Sequence, residues 1–425
     1  VIIFSCKPQN VTILNNVEVL HTNQDQLTQI IIYDVFTPPV ASRIYAYTSL
    51  ASYEALRFLS PGNESLVEKM NDFEKMPQPE KGKNYNYVLA ASKAFFTVVH
   101  KVVFSVDSLK NYEANLFKSF EDNIADDSVY TRSISFGTQV GETILKRVMT
   151  DNYLKSRSKA KYLGSNEPGK WRPTQPDYLD GVEWCWNTMK PLVLDSCSQF
   201  FPGPPPVFST DTNSIFFKAV KEVYKISKNI TEEQKIIAKF WDDNPFVIEH
   251  SGHLMFGNKK ITPGGHWMGI ASIAARQTNA DEIKTAKTYA LTAVALFEAF
   301  LSCWDVKYKW SYVRPVTVIN ESIEQTWSSL LQTPPFPEYT SGHSTITASA
   351  AAVLTKLYGD NFSYNDTSDL RYIGMQRKFN SFIQAADECS ISRLYGGIHY
   401  RLSVDTGAVC GRKVGAFIIE KLLKQ

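Results

Sequence analysis

Lys307-Tyr308-Lys309-Trp310-Ser311-Tyr312-Val313-Arg314-Pro315, Thr340-Ser341-Gly342-His343 and Ser392-Arg393-Leu394-Tyr395-Gly396-Gly397-Ile398-His399 are three short clusters in the last third of the chain. The step from Lys307 to Arg314 is seven residues, so a helix through this segment sets both on one face, with Trp304 and Ser311 beside them. A small-residue helix is expected from His343 through the alanines at 348 and 350–352. The clusters supply Lys307, Arg314 and Arg393 as fixed cations, Ser341 and Gly342 as small hydrogen-bond donors, and the imidazoles of His343 and His399. No carboxylate falls inside any of them. Forked guanidinium donors, a point-charge ammonium and a closely approaching backbone N–H suit a tetrahedral oxyanion. Gly342 lets the main chain come near because it has no side chain, and a helix beginning there aims free N–H groups at the anion.

Working outward, helical periodicity dominates. Residues 23–60 read as helix broken at Pro38-Pro39, since proline suits a helix start and not an interior. Helices are expected over about 85–103, 107–123, 128–155, 214–227, 268–278, 280–304, 370–389 and 404–424. Thr231-Glu232-Glu233-Gln234 is a capping box opening a helix to Trp241. Residues 156–213 lose the periodicity and carry Trp171-Arg172-Pro173 and Gly203-Pro204-Pro205-Pro206, which places a domain boundary there. No alternating strand pattern of useful length and no internal repeat stand out. The expected fold is all-α, with two helical bundles and the site within the C-terminal one. The expected divisions are a tail over 1–20, an N-terminal bundle with its irregular connection over 21–210, and the site-bearing bundle over 211–425.

The 425 residues are 44% hydrophobic and 21% charged, a globular composition. A net charge of +2 speaks against nucleic acid as a partner, and no apolar run suggests a membrane span. Six cysteines form no zinc pattern. Cys185 and Cys197 lie in one irregular stretch where they could pair; Cys303, Cys389 and Cys410 read equally as buried free thiols or as pairing partners. Val1-Ile2-Ile3-Phe4-Ser5-Cys6, followed by polar residues, resembles a bacterial lipoprotein cleavage site with Cys6 as the lipid anchor. The expectation is an exported, periplasmic or outer-membrane lipoprotein; an ordinary first strand or chain end is the alternative. Sequons at Asn10, Asn63, Asn229, Asn320, Asn361 and Asn365 matter only in a secreting eukaryote.

In order and internal spacing the three clusters resemble the signature shared by vanadium-dependent haloperoxidases and type 2 phosphatidic acid phosphatases: Lys, six residues, Arg-Pro; Ser-Gly-His; Ser-Arg, five residues, His. Thr37-Pro38-Pro39-Val40-Ala41-Ser42-Arg43, Phe240-Trp241-Asp242-Asp243 and Pro263-Gly264-Gly265-His266-Trp267 also look like bacterial haloperoxidase sequences, so the resemblance spans most of the chain. It implies a helical fold and vanadate as cofactor, with His399 as the vanadium ligand and Lys307, Arg314, Ser341, Gly342 and Arg393 around the anion oxygens. His343 is then the acid–base group, and Lys307 also polarises bound peroxide. Hydrogen peroxide and a halide are the implied substrates, with a small organic acceptor for the hypohalous acid.

The phosphatase alternative has His399 attacking phosphorus and His343 protonating the leaving alcohol. That family carries an Asp four residues after this His; Ser403 stands there, and Asp405 lies two further on. The group holding the second ring nitrogen of His399 is therefore unassigned. A non-catalytic phosphate or vanadate binder is the third reading, against which His343 speaks. The resemblance implies that Asp242 or Asp243 pairs with Arg393. His266 reads as packing, and His250 and His253 as loop or core residues. Trp304, Asp305 and Phe336 are expected at the open, halide side of the site. Phe336 stands where algal bromoperoxidases carry histidine; aromatic residues here occur in fungal chloroperoxidases and bacterial iodoperoxidases. Iodide is the favoured halide, with bromide second.

Overall fold

Capping side chains and prolines set where the helices begin. The computed structural model describes residues 15–245, 248–251, 254–257 and 260–424, the two short segments 248–251 and 254–257 by backbone alone. The first half contains α1 (Asn16–Tyr33), α2 (Pro38–Leu56), α3 (Tyr87–Val102), α4 (Lys110–Asn123), α5 (Asp127–Thr150) and α6 (Tyr153–Arg157). The second contains α7 (Ile215–Lys228), α8 (Glu232–Phe240), α9 (Pro263–Gln277), α10 (Glu282–Trp310), α11 (Pro315–Ser322), α12 (Gly342–Tyr358), α13 (Leu370–Ile373), α14 (Phe382–Tyr395) and α15 (Arg401–Leu423). Asn15, Asn86, Asp126, Ser214, Asp281 and Ser381 each accept a backbone N–H of the helix they precede. Thr231 and Gln234 close the expected capping box at α8. Pro38, Pro263 and Pro315 occupy first-turn positions, where a missing N–H costs nothing. Two short two-stranded antiparallel sheets are also present, β1 (Ile248–Ser251) with β2 (Leu254–Gly257), and β3 (Tyr364–Asp366) with β4 (Arg377–Phe379), the second pair enclosing α13 in sequence.

The fold is helical, as expected, with differences in three places. First, α10 continues past Trp304 to Trp310, and Ser311 then turns left-handed at φ 46°. Arg314 follows in extended conformation at φ −78°, ψ 152°, because the proline after it disfavours helix. Lys307 and Arg314 therefore reach the site from two elements and not from one helical face. Second, the expected helix over 370–389 is divided: Gly374 ends α13 at φ 71°, β4 pairs back on β3, and α14 starts only at Phe382. Third, Cys185 and Cys197 are free buried thiols; Cys197 Sγ instead faces the carbonyls of Asn187 and Met189 at 3.4 and 3.7 Å. Cys6, His253 and the side chain of His250 lie outside the described residues.

One apolar cluster runs from Val19 to Leu422 through both halves of the sequence. At its centre α10 packs on α2, α9, α12 and α15, and every residue of α2 is buried. Among the described helices α10 alone has the length and apolarity of a membrane span, but 94% of that stretch is buried inside the protein, so its apolarity serves the core. The irregular connection is tied to α10 by Glu298, whose carboxylate accepts the backbone N–H groups of Leu192, Val193 and Leu194 at 2.6, 3.3 and 3.0 Å. The helix carrying the Ser-Gly-His cluster, α12, lies closely on α15. A Cβ added at Gly411 would sit 2.0 Å from the Thr345 carbonyl, and at Gly407 2.9 Å from that of Ser341.

Candidate active site

The C-terminal end of α10 carries Trp304 and Lys307 three residues apart, hence on one face. Lys307 is fully buried. Its Nζ gives all three hydrogens to carbonyls, those of Pro337, Glu338 and Thr340 at 2.9, 3.1 and 2.6 Å, and so ties the loop before α12 onto α10. Burial, then the nearby Arg314, pushes the ammonium down to about 7. Arg314 donates Nε to the Phe336 carbonyl (2.9 Å) and Nη1 to the Ile398 carbonyl (2.8 Å), with Nη1 also 3.1 Å from His399 Nε2. Its Nη2 is buried without a partner.

His399 Nδ1 lies 2.7 Å from Glu338 Oε1. The same carboxylate accepts the Tyr400 N–H at 3.0 Å and the Ser403 hydroxyl at 2.9 Å. Three donors on one carboxylate fix the imidazole proton on Nδ1 and leave Nε2 as a lone pair, to which Arg314 donates. Burial, then Arg314 and Lys307, holds His399 well below the usual histidine range. Burial raises Glu338 to about 7, against the pull of Arg314 and Lys307. Glu338 is the functional residue that the sequence reading missed. It is the one acidic residue between Glu324 and Asp360, two positions before the Ser-Gly-His cluster, and that isolation is the signal that would have found it. Ser403, at the phosphatase aspartate position, acts by binding this glutamate.

Ser341 is the N-cap of α12; its Oγ accepts from the Ser344 N–H and hydroxyl at 3.3 and 2.9 Å. The N–H groups of Gly342 and His343 are in the first turn, where no intrahelical acceptor exists. A Cβ at Gly342 would stand 3.6 Å from the Trp304 ring and 3.9 Å from Lys307 Cε, filling space and meeting no clash. His343 has its Nε2 buried without a partner. Burial, then Arg393, His266, Lys307 and Arg314, holds its imidazole well below the usual value. On α14, Arg393 donates Nη1 to the Trp241 carbonyl while its Nε has no partner.

Gly342, His343, Arg393 and His399 face a cleft walled by Trp304 and Phe336, while Lys307, Arg314 and Ser341 are fully buried and stand outside its lining. The Trp304 and Phe336 rings pack at 5.0 Å, and Lys307 Nζ and Arg314 Cζ lie 5.0 and 5.1 Å from the Phe336 centroid. The clusters thus converge, with two corrections around them. Asp305 is not part of the lining: one position on from Trp304 it points elsewhere around the helix and accepts from Asn187 Nδ2 at 3.2 Å. The expected ion pair of Arg393 with Asp242 or Asp243 is not made. Asp242 pairs with Lys260 at 2.5 Å, and Asp243, whose backbone is left-handed at φ 41°, turns to His266 Nδ1 at 3.0 Å while still lining the cleft.

Arg314 Nη2, Arg393 Nε and His343 Nε2 are buried polar atoms without partners, an arrangement that costs stability unless a ligand completes it. They surround a lone-pair nitrogen and a helix N-terminus. Donors for oxyanion oxygens plus one nitrogen ligand is the set that vanadate requires. The solved structure described as the first bacterial vanadium-dependent iodoperoxidase is 44% identical to this chain, with a TM-score of 0.90 over 98% of both chains. The chain belongs to the vanadium-dependent haloperoxidases. The model of the VCPO second helical-bundle domain matches residues 320–425 of this haloperoxidase. A holo-type bacterial vanadium-dependent chloroperoxidase is 18% identical, with a TM-score of 0.69 over 92% of this chain and 93% of that one. Its apo-type counterpart is also 18% identical, at 0.68 over 98% and 96%. At that identity both speak for the fold alone. No curated protein matches the sequence. As a vanadium-dependent haloperoxidase, the enzyme uses vanadate to oxidise a halide with hydrogen peroxide.

Proposed function

We propose that the halide is iodide, and that the hypoiodous acid formed passes to a small organic acceptor. The observation that carries this is the aromatic wall of Trp304 and Phe336 over the buried cations, in a chain 44% identical to a bacterial iodoperoxidase. A large, polarisable, weakly hydrated halide loses least on leaving water for such a wall. Bound vanadate supplies a Lewis-acid centre for peroxide. His399 Nε2 provides the nitrogen ligand because Glu338 keeps the proton on Nδ1. Arg314 Nη2, Arg393 Nε and the first N–H groups of α12 hold anion oxygens, and His343 Nε2 is placed to hold and move a proton. Lys307 reaches the anion only by releasing a carbonyl. The test is kcat/KM for iodide, bromide and chloride on the vanadate-reconstituted enzyme. Iodide is expected to lead; a bromide or chloride value equal to it overturns the preference.

Glu338 also favours a second activity of the vanadate-free chain. It supplies the carboxylate behind His399 that a phosphohistidine route needs and that the sequence lacked at residue 403. Hydrolysis of p-nitrophenyl phosphate, abolished in His399→Ala, is the expected result; activity surviving in that variant excludes the route.

A further inference from the structure

His266 lies outside the anion-binding set. Its imidazole is fully buried, and each ring nitrogen meets a carboxylate. Nδ1 is 3.0 and 3.1 Å from the two oxygens of Asp243 and 3.5 Å from Asp369, while Nε2 is 3.0 Å from Asp366. A neutral imidazole carries one N–H and satisfies only one of these directions, so the ring is an imidazolium. Asp369 and Asp243 approach the same ring nitrogen, with an oxygen of each within 4.8 Å of the other, and two buried carboxyl groups that close favour sharing a proton. Burial, the largest cause, raises Asp369 to about 8, so it keeps that proton near neutrality. The Trp241 ring stacks on His266 at 4.6 Å.

One end of this cluster faces the active cleft, and the buried carboxylates at its other end sit one residue behind the wall of a second space. Asp243 lines the active cleft beside His343 and Arg393. At the other end Thr367 and Ser368, between Asp366 and Asp369, line a second, open cavity together with Tyr372. Arg393 and Cys389 from α14, His343 from α12 and Tyr372 from α13 also act on the cluster.

We propose that Asp369 and Asp243, held by the imidazolium of His266, form a proton relay from the second cavity into the active cleft. The reaction needs one proton per turnover. The O–O bond of hydrogen peroxide breaks, and the halide gives up two electrons as it bonds to one oxygen. The other oxygen leaves as hydroxide and takes a proton to become water: halide plus hydrogen peroxide plus a proton gives hypohalous acid plus water. The shared proton passes from Asp369 to Asp243, Asp243 releases it to the cleft, and Asp369 is reprotonated from the second cavity. His266 stays charged throughout and is a positioning residue; Asp243 is the port.

Asp369→Asn tests this with little risk to the fold, since Asn matches the protonated carboxyl in shape and the Asp369 side chain caps no helix. The variant is expected to melt and to bind vanadate as the parent does. At pH 8 its kcat falls about tenfold or more, a deficit that narrows towards pH 5 and that added imidazole buffer restores. Asp243→Asn should show the same alkaline deficit; if it does not fold, Asp369→Asn decides alone. Superimposable pH profiles without buffer rescue overturn the relay. So does one divalent cation per chain found by elemental analysis, because Asp243, His266 and Asp369 then serve as metal ligands. The relay rests on haloperoxidase chemistry and not on the choice of halide. The parent enzyme, run with iodide and with bromide, exposes an error in halide preference, whereas an error in the relay appears only in the variants.

Discussion

Glu338 decides which ring nitrogen of His399 faces the cleft, through a 2.7 Å contact with Nδ1. Partners in this position typically set ligand affinity by 10–100-fold. Glu338→Gln is expected to lower vanadate affinity by about that factor, read from a reconstitution titration, with activity recovering at high vanadate. Unchanged affinity would remove Glu338 from the account. His343 gives a prediction with a sign. Burial and the surrounding cations depress it in the empty site, so it is neutral at pH 7. A bound anion offsets those cations and raises it; binding therefore takes up protons, up to about one per site, and affinity falls as pH rises through the bound-state value. Calorimetry of phosphate binding in buffers of different ionisation enthalpy measures this, and His343→Ala should abolish the uptake. The residues that converge on the cleft were legible because their spacing is a local property. Glu338 was not, because it is 61 residues from His399 and the resemblance directed attention four residues downstream. Asp243, expected with Asp242 as the candidate partner of Arg393, turns instead to His266 from a left-handed backbone that is uncommon even for aspartate and that the sequence does not mark.

Two glycines of similar appearance in the sequence have opposite structural meanings. Gly411 holds α15 against α12: a methyl there would lie 2.0 Å from the Thr345 carbonyl, an atom of a rigid backbone. Gly411→Ala is expected to destabilise by about 1–3 kcal/mol or more, visible as a lower denaturant midpoint. Gly342→Ala meets nothing closer than 3.6 Å, so its midpoint should stay within about 1 kcal/mol while vanadate affinity falls, because the methyl projects towards Trp304 and Lys307. Equal losses of stability in the two variants would contradict this division. Helix starts were legible wherever a cap or proline marks them, as at Thr231 and Pro38. Interruptions were less so. Ser311 and Gly374 break apparently continuous helical patterns by adopting positive φ, and only the pairing of β3 with β4 shows why the chain turns at the second.

At the scale of the molecule, Lys307, Arg314 and Arg393 are buried together, with Glu338 as the nearest compensating carboxylate of Lys307 and Arg314. Any tetrahedral oxyanion that enters should stabilise the fold, by about 2.7 kcal/mol at a hundredfold excess over its Kd. Thermal melts of the vanadate-free chain with rising phosphate are expected to shift upward, and phosphate should slow vanadate reconstitution; melts that ignore phosphate would mean the clusters form no shared anion site. The helical class was legible from periodicity throughout. The continuity of the core from Val19 to Leu422 was not, because it depends on α2 and α10 meeting across more than two hundred residues of sequence. The contact of α12 with α15 has a last consequence. At Gly411 these helices approach chiefly through the Thr345 main chain, and at Gly407 through the Ser341 carbonyl with the short side chains of Ser344 and Thr345 beside it, so no long side chain between them could rearrange. The helix start that receives the anion is then fixed before any anion arrives. Hydrogen exchange on the vanadate-free chain should find the amides of the second and third turns of α12 already slow, and loading should change protection mainly at Gly342 and His343.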